Sequence, residues 1–375
     1  MVMANLERKT HMSTMQLGIV VITTCIGAQI MLAPRSLIAD TEQGAWLSII
    51  IGGVLFYLAA CLMLKLAKQY PDETLVEYAP RLFGRWGGRI IVLWFTLLFF
   101  LQVIQIFSGV GKIITFHIFD RTPPEVVILG LLVVCTYCAL QDWGTILRVQ
   151  QTMFFIAYSM LGIVWMTSAL NLQPENLLPL WPMNIEKIAK GGFSTWPMYS
   201  GYECILLLLP LVYRGTSFSK LAKTIGGSFG CLTLFFLLII IFIIGSLTVG
   251  NAKNVPYPAL VLIRSIELPG TFIERLENYL LLAWIPVVFD TLAIMMFFIA
   301  QVCMRYYHHF DHRPWVLLWV PIIYVVSVLL LDNQQTYDMV GKLTLWAGLG
   351  FSFVVVPLLL LRSMLRKGKA VTRCG

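Results

Sequence analysis

The chain has 375 residues, of which 58% are hydrophobic and only 12% charged, with a formal net charge of +8. A soluble protein carries about 25% charged residues, so this composition excludes a soluble fold and describes a polytopic membrane protein. The basic excess then reports which loops face the cytoplasm, not a nucleic-acid footprint.

Ten apolar segments follow in chain order, near residues 14–38, 44–66, 88–116, 124–140, 146–169, 192–213, 224–249, 277–301, 315–331 and 340–362. Each holds about the 20 residues that cross a hydrocarbon core. The first is long and lacks a small-residue cleavage site, so no signal peptide is expected. Ten spans place both termini on one side. With the termini in the cytoplasm, inner segments carry 18 of the 27 Lys and Arg residues, the bias that the positive-inside rule predicts.

The loops have an order of their own. Between residues 70 and 88, Leu75, Val76, Tyr78, Ala79, Leu82 and Phe83 recur near helical spacing among charges, which predicts an amphipathic helix on the inner leaflet. The stretch Asn171 to Lys190, with Pro174, Pro179 and Pro182, reads as an outer loop with one short helix. Asn251 to Asn278 is the longest outer connection, and its Phe272–Glu277 piece reads as a helical entry to the eighth span. No loop is long enough for a second domain, so residues 1–375 read as a single integral membrane domain.

Two spans are broken at matching places in the two halves. The first reads Gly27-Ala28-Gln29-Ile30-Met31-Leu32-Ala33-Pro34, and the sixth Trp196-Pro197-Met198-Tyr199-Ser200-Gly201-Tyr202-Glu203. A break frees backbone groups that lipid cannot satisfy, and survives only against protein or a water-filled cavity. Paired breaks point to a substrate site near the bilayer midplane and to an inverted repeat. The expected fold is therefore an all-α membrane protein of ten transmembrane helices. It forms a 5+5 inverted repeat, about 14–169 and 192–362, with interrupted first and sixth helices.

Beyond these breaks, Gly44-Ala45-Trp46, Pro71 through Leu75 with Tyr78, Asp120-Arg121-Thr122-Pro123, Pro210, and Phe272 through Glu277 leading to Trp284 form a set. With Gly27 through Arg35 and Gly201-Tyr202-Glu203, it resembles the B-subunit family of bacterial spore germinant receptors. That family is a branch of the amino acid-polyamine-organocation transporters. The resemblance spans almost the whole chain. It implies a transporter-like fold with a central pocket at the unwound first and sixth helices. It also implies binding of a nutrient germinant such as an amino acid, in complex with A- and C-type subunits, in the inner membrane of the spore. One departure is that Trp196, Met198 and Tyr199 make the sixth break bulkier than the smallest germinants imply.

An amino acid needs one site for its ammonium and one for its carboxylate. Carbonyls freed at a helix break suit the first, and N–H groups at the next half-helix N-terminus the second. Gly27 and Gly201 admit close backbone approach, and their neighbours Thr24 and Ala28 complete the first break's candidate set. Gln102 and Gln105 share a face of the third span with Leu98 and Ser108, across from the breaks or as helix–helix glue. Tyr199 and Tyr202 are candidate gates. Thr291 offers a hydroxyl that both donates and accepts, and with Asp290 is expected at the pocket floor. Asp290 and Glu203 are acids inside apolar runs and are candidate ion or proton sites. The alternatives are a neutral carboxyl joining two helices for Asp290 and a partner for exposed backbone for Glu203.

Other patterns carry little. Cys135 and Cys138 have no second pair and no nearby His, so they fit no zinc or redox site. His308 and His312 share a face if helical, beside Asp311. No metal site, no cofactor and no nucleophile–base pair is expected, so an enzyme is not. A proton- or cation-coupled amino acid permease acting alone is the alternative to a receptor subunit.

The topology is testable by single cysteines placed in a background lacking the native ones. Positions within 171–190 and 251–278 should react with an impermeant thiol reagent from outside only, and those within 308–313 from the cytoplasm only. Labelling of position 310 from outside intact cells would overturn the ten-span arrangement.

Overall fold

The computed structural model describes residues 11–117, 121–178, 184–213, 215–266, 276–309 and 311–371. The Phe272–Arg275 part of the expected helical entry, Pro179, Pro182, Asp120 and position 310 lie outside the described residues. Among the described residues every regular element is a helix.

The chain enters at α1 (Thr14–Ile26), where a reciprocal cap closes two open donors. The Gln16 N–H donates to Ser13 Oγ at 3.1 Å and the Ser13 N–H to Gln16 Oε1 at 2.9 Å. Past the first break come α2 (Gln29–Leu32), α3 (Pro34–Thr41) and α4 (Ala45–Ala67). The helix α5 (Leu75–His117) turns at Gly84 (φ 77). It is followed by α6 (Pro124–Ala139), α7 (Trp143–Thr167) and α8 (Ile185–Ser194). The second broken segment contains α9 (Trp196–Tyr199) and α10 (Ile205–Leu208). Then come α11 (Phe218–Asn254), α12 (Pro258–Arg264), α13 (Leu276–Tyr306), α14 (Arg313–Asp332) and α15 (Gln334–Gly350). A π-helical turn (Phe351–Val355) joins α15 to α16 (Val356–Val371).

Among the described residues, which are helical in every regular element, eight helical stretches are long and apolar enough to cross a membrane, so this is an integral membrane protein. Two of the ten expected spans are shorter: Pro124–Ala139 and Tyr202–Leu211. The sixth segment is short because Pro197, Gly201 and Pro210 divide it. Proline removes a backbone donor and clashes with the preceding turn.

At the centre α1 packs against α7, α11 and α13. Its residues from Leu17 to Ile26 are all buried. By contrast α14 turns Leu317, Val325 and Leu329 outward, as a helix at the lipid boundary must. The segments of the two breaks meet at one end as well. The Met12 N–H donates to the Leu211 carbonyl at 2.9 Å, and Met12 bridges to Val212.

The expected amphipathic helix is the first part of α5, with Leu75, Val76, Tyr78, Ala79 and Leu82 buried and Arg81 exposed. The Asn251–Asn278 segment differs from a simple outer loop. Within it α12 is folded inward, with Leu260, Leu262 and Ile263 fully buried against α2, α3 and α13. His308 and His312 do not share a helical face, because α13 ends at Tyr306 and His308 takes φ 53. The His312 ring instead packs edge-on to Phe297 at 4.9 Å.

One carboxylate ties the amphipathic helix to the bundle. Glu77 Oε2 accepts the Thr74 N–H at 2.7 Å and also bonds the Thr74 hydroxyl, while Glu77 Oε1 accepts from Arg305 Nη1 at 3.0 Å. The pair is mostly shielded, with side chains 28% and 11% exposed, so it differs from a freely solvated surface pair. Glu77→Ala should lower stability by about 1.5–3 kcal/mol, the range for hydrogen bonds to a charged group. Glu77→Gln should recover part of this by keeping the cap. Thermal unfolding in detergent measures both, and an unchanged melting temperature for the alanine variant would remove the tie.

Candidate functional site at the paired helix breaks

At the first break Gly27 takes φ 28 and ψ −125, a conformation that a side chain disfavours. Its carbonyl accepts from Trp284 Nε1 at 3.2 Å. One turn earlier, the Thr23 carbonyl accepts from Thr291 Oγ1 at 2.7 Å. Both donors stand on α13, so that helix satisfies the backbone which the break leaves open. A Cβ at Gly27 would lie 2.8 Å from both Cγ2 and Oγ1 of Thr291. Pro34 opens α3 at its first turn, where its missing N–H costs nothing.

At the second break Ser200 is extended and Gly201 is left-handed at φ 112. The Gly201 N–H donates to Glu203 Oε2 at 2.8 Å, and the Tyr199 carbonyl accepts from Cys25 Sγ at 2.9 Å. A Cβ at Gly201 would lie 2.7 Å from Thr24 Cγ2 and 2.8 Å from the Thr24 carbonyl oxygen. The two breaks therefore touch, main chain against main chain.

Thr24, Gly27, Gly201 and Thr291 thus come together directly, with Ala28 fully buried beside them. Thr24 Oγ1 donates back to the Val20 carbonyl at 2.6 Å. Asp290 is separated from its neighbour Thr291. Its carboxyl is buried and, among the described residues, has no hydrogen-bond partner at either oxygen, while the preceding Phe289 carbonyl accepts from Cys135 Sγ of α6 at 3.8 Å. The helical turn between adjacent residues explains this: about 100° of rotation sends them to different neighbours.

The tyrosines point away from the contact between the breaks. Tyr199 Oη donates to the Ile49 carbonyl at 3.0 Å and pairs with Thr233, while Tyr202 Oη donates to Ser352 Oγ at 2.7 Å. Behind the break the Tyr199 ring stacks on Phe229, the Tyr202 ring meets Phe229 edge-on, and both lie tilted against Phe56. On α5, Leu98 is fully buried, and both amide atoms of buried Gln102 lack hydrogen-bond partners among the described residues. Gly109, two turns further along that face, abuts Leu32 and Tyr337, and Gln105 faces Gly341 of α15.

Two residues of this constellation have roles that the sequence does not assign. Trp284 closes the Phe272–Glu277 motif, but nothing in its apolar surroundings indicates a bond to the first break. Gln150 joins three helices: it bonds the Thr23 hydroxyl of α1 and donates from Nε2 to the Asp290 carbonyl at 2.8 Å. Gln102 stands out of an apolar run, but Gln150 lies between Arg148 and Gln151-Thr152 near the start of α7, so its polarity does not single it out. An apolar cavity lined by Gln43, Trp46 and Ile240 contains neither break, and lacks the converging polar groups that orient a ligand.

A family model described as spore germination protein matches residues 11–336. The chain is 27% identical over 358 residues to spore germination protein YndE of Bacillus subtilis (strain 168), spanning 94% of this chain and 96% of that protein. Its fold matches that of MhsT in complex with L-phenylalanine, with a TM-score of 0.70 at 12% identity, over 94% of this chain and 96% of that chain. It also matches a Na+-coupled sialic acid symporter in a substrate-bound outward-open state, with a TM-score of 0.67 at 10% identity, over 92% and 78%. At such identities the likeness shows a shared fold.

The contact of Gly27 with Thr291 sets up a double-mutant cycle. Gly27→Ala should destabilise by about 1–3 kcal/mol, through backbone strain. Thr291→Ala should cost less, and the double variant less than the sum of the two, with a coupling of about 0.5–3 kcal/mol. Additive melting shifts would mean that the two residues do not press on each other.

Proposed function

The chain belongs to the spore germination protein family, and from that premise we propose that it is the germinant-binding membrane subunit of a nutrient germinant receptor, with an amino acid as germinant. The observation that carries this reading is the contact of two breaks, each centred on a glycine with positive φ. In that role the carbonyls at the end of α1, from Thr24 to Ala28, take the ammonium group. The N–H groups leading into the half-helix after Gly201 take the carboxylate. Leu98, Gln102, Gln105 and Thr291 close the sides, and Tyr199 and Tyr202 brace the second break. MhsT, which has this fold and is solved in complex with L-phenylalanine, supports a ligand of this class.

The same reading takes residues 1–375 as one membrane domain of ten spans, built as a 5+5 inverted repeat. The pairing of Met12 with Leu211 and Val212 supports it, since it sets the start of one broken segment against the end of the other. Both termini face the spore core from the inner membrane of the spore. A- and C-type subunits receive the signal of occupancy. Because Gly201 rests on Thr24, a germinant enters as the two breaks move apart.

A coupled permease is the second reading, favoured by the unpartnered carboxyl of Asp290. Glu203, which caps Gly201, is the lesser candidate for an ion or proton site.

Two measurements decide between these readings. A ligand that binds the folded chain must raise its melting temperature, so the purified protein is screened against the twenty amino acids, sugars and nucleosides. Proteoliposome uptake is then measured for any hit. A receptor subunit should show stabilisation without uptake. Gly27→Leu should abolish both the stabilisation and the germination response while the protein still accumulates. Uptake that Asp290→Asn removes would establish the permease, and a normal response from the leucine variant would move the site elsewhere.

A further inference from the structure

Two outward-facing stripes of large apolar side chains run along neighbouring helices. On α5, Trp86, Ile90, Leu93 and Leu97 recur at the spacing of one helical face, all exposed. Across the junction of α15 and α16, Val354, Leu358, Leu361 and Leu365 do the same. The two helices are packed together, with Phe95 and Phe351 in ring contact at 5.4 Å. In a membrane protein such stripes face acyl chains.

Both stripes end at the same basic corner. Arg362 Nε donates to the Leu82 carbonyl at 2.8 Å, and its guanidinium lies over the Phe83 ring at 5.1 Å. Arg366 bonds the Arg81 carbonyl. Just past the turn at Gly84, Arg89 sits over the Trp86 ring at 5.4 Å, and Trp86 is 75% exposed. Arg81 is matched by Glu73 at 2.7 Å. Among the described residues, Arg85, Arg89, Arg362 and Arg366 have no carboxylate within ion-pair distance. Four unmatched guanidinium groups sit where two acyl-facing stripes meet an interfacial tryptophan, and tryptophan favours the headgroup level.

We propose that this corner binds the headgroup of an anionic phospholipid, with the acyl chains lying along the α5 and α15–α16 stripes. Guanidinium groups fit phosphate oxygens in bidentate geometry. The backbone carbonyls that hold Arg362 and Arg366 fix the corner before a lipid arrives. Trp86 supplies the interfacial anchor and orients Arg89 beside the phosphate.

The test uses the full chain in a neutral detergent, with phosphatidylglycerol, phosphatidylcholine or inorganic phosphate added. Thermal stability and retained lipid by native mass spectrometry are the readouts. The expected result is selective stabilisation and retention by phosphatidylglycerol. Arg85→Gln combined with Arg89→Gln leaves the bonds of Arg362 intact, so folding is kept. It should weaken the phosphatidylglycerol effect about thirtyfold, taking about 1 kcal/mol per interfacial basic residue. The control Lys187→Gln with Lys190→Gln, on α8, should leave the effect unchanged. Equal stabilisation of the Arg85/Arg89 variant and the unaltered chain would overturn the proposal. So would an equal response to phosphatidylcholine, or full reproduction of the effect by inorganic phosphate.

Discussion

Hydrocarbon offers no hydrogen bonds, so each backbone group released by a helix break must find its partner inside the protein. In this chain partners come from side chains spread over several helices. Trp284 and Thr291 of α13 hold the first break, Glu203 caps the second from two residues away, and Cys25 ties the end of α1 to Tyr199. The central position of α1, packed on α7, α11 and α13, follows from this need. An unbroken helix could have stood at the lipid boundary, as α14 does.

The bonds that hold the breaks are few and individually weak. Each contributes about 1 kcal/mol net, and the whole set sums to a few. That is the scale on which a bound molecule shifts one conformation against another. Gln150 gives this scale a direction, because its amide touches the Thr23 hydroxyl on one side and the Asp290 carbonyl on the other. Movement of α1 is therefore felt in α7 and α13 together.

Much of this architecture is legible in the residues alone. Long apolar runs reveal spanning helices because the bilayer sets their length, and Gly27 and Gly201 stand out because glycine is conspicuous where helix formers are expected. The amphipathic start of α5 is visible through the spacing of its apolar residues. What escapes the sequence is partnership. Trp284 and Gln150 act through residues more than a hundred positions away, and no local pattern encodes that. The directions of Tyr199 and Tyr202 depend on which neighbours offer acceptors, namely Ile49 and Ser352. The helix α12 reads as loop because it is seven residues long and begins with proline, although it is buried.

The π-helical turn at Phe351–Val355 has a consequence for everything beyond it. A π turn accommodates one extra residue relative to an α-helix, which advances the angular phase of the following helix by about 100°. Ser352, inside that turn, receives the Tyr202 hydroxyl, while Arg362, three turns on, reaches the Leu82 carbonyl. The extra residue thus acts as a rotational spacer. It lets one continuous rod face the second helix break at one height and the amphipathic corner at another. Removing one residue from the turn would roll α16 about its axis, carrying its apolar stripe off the lipid and its arginines off the corner. The second break and the basic corner are in this sense geared together by a single residue of helical pitch.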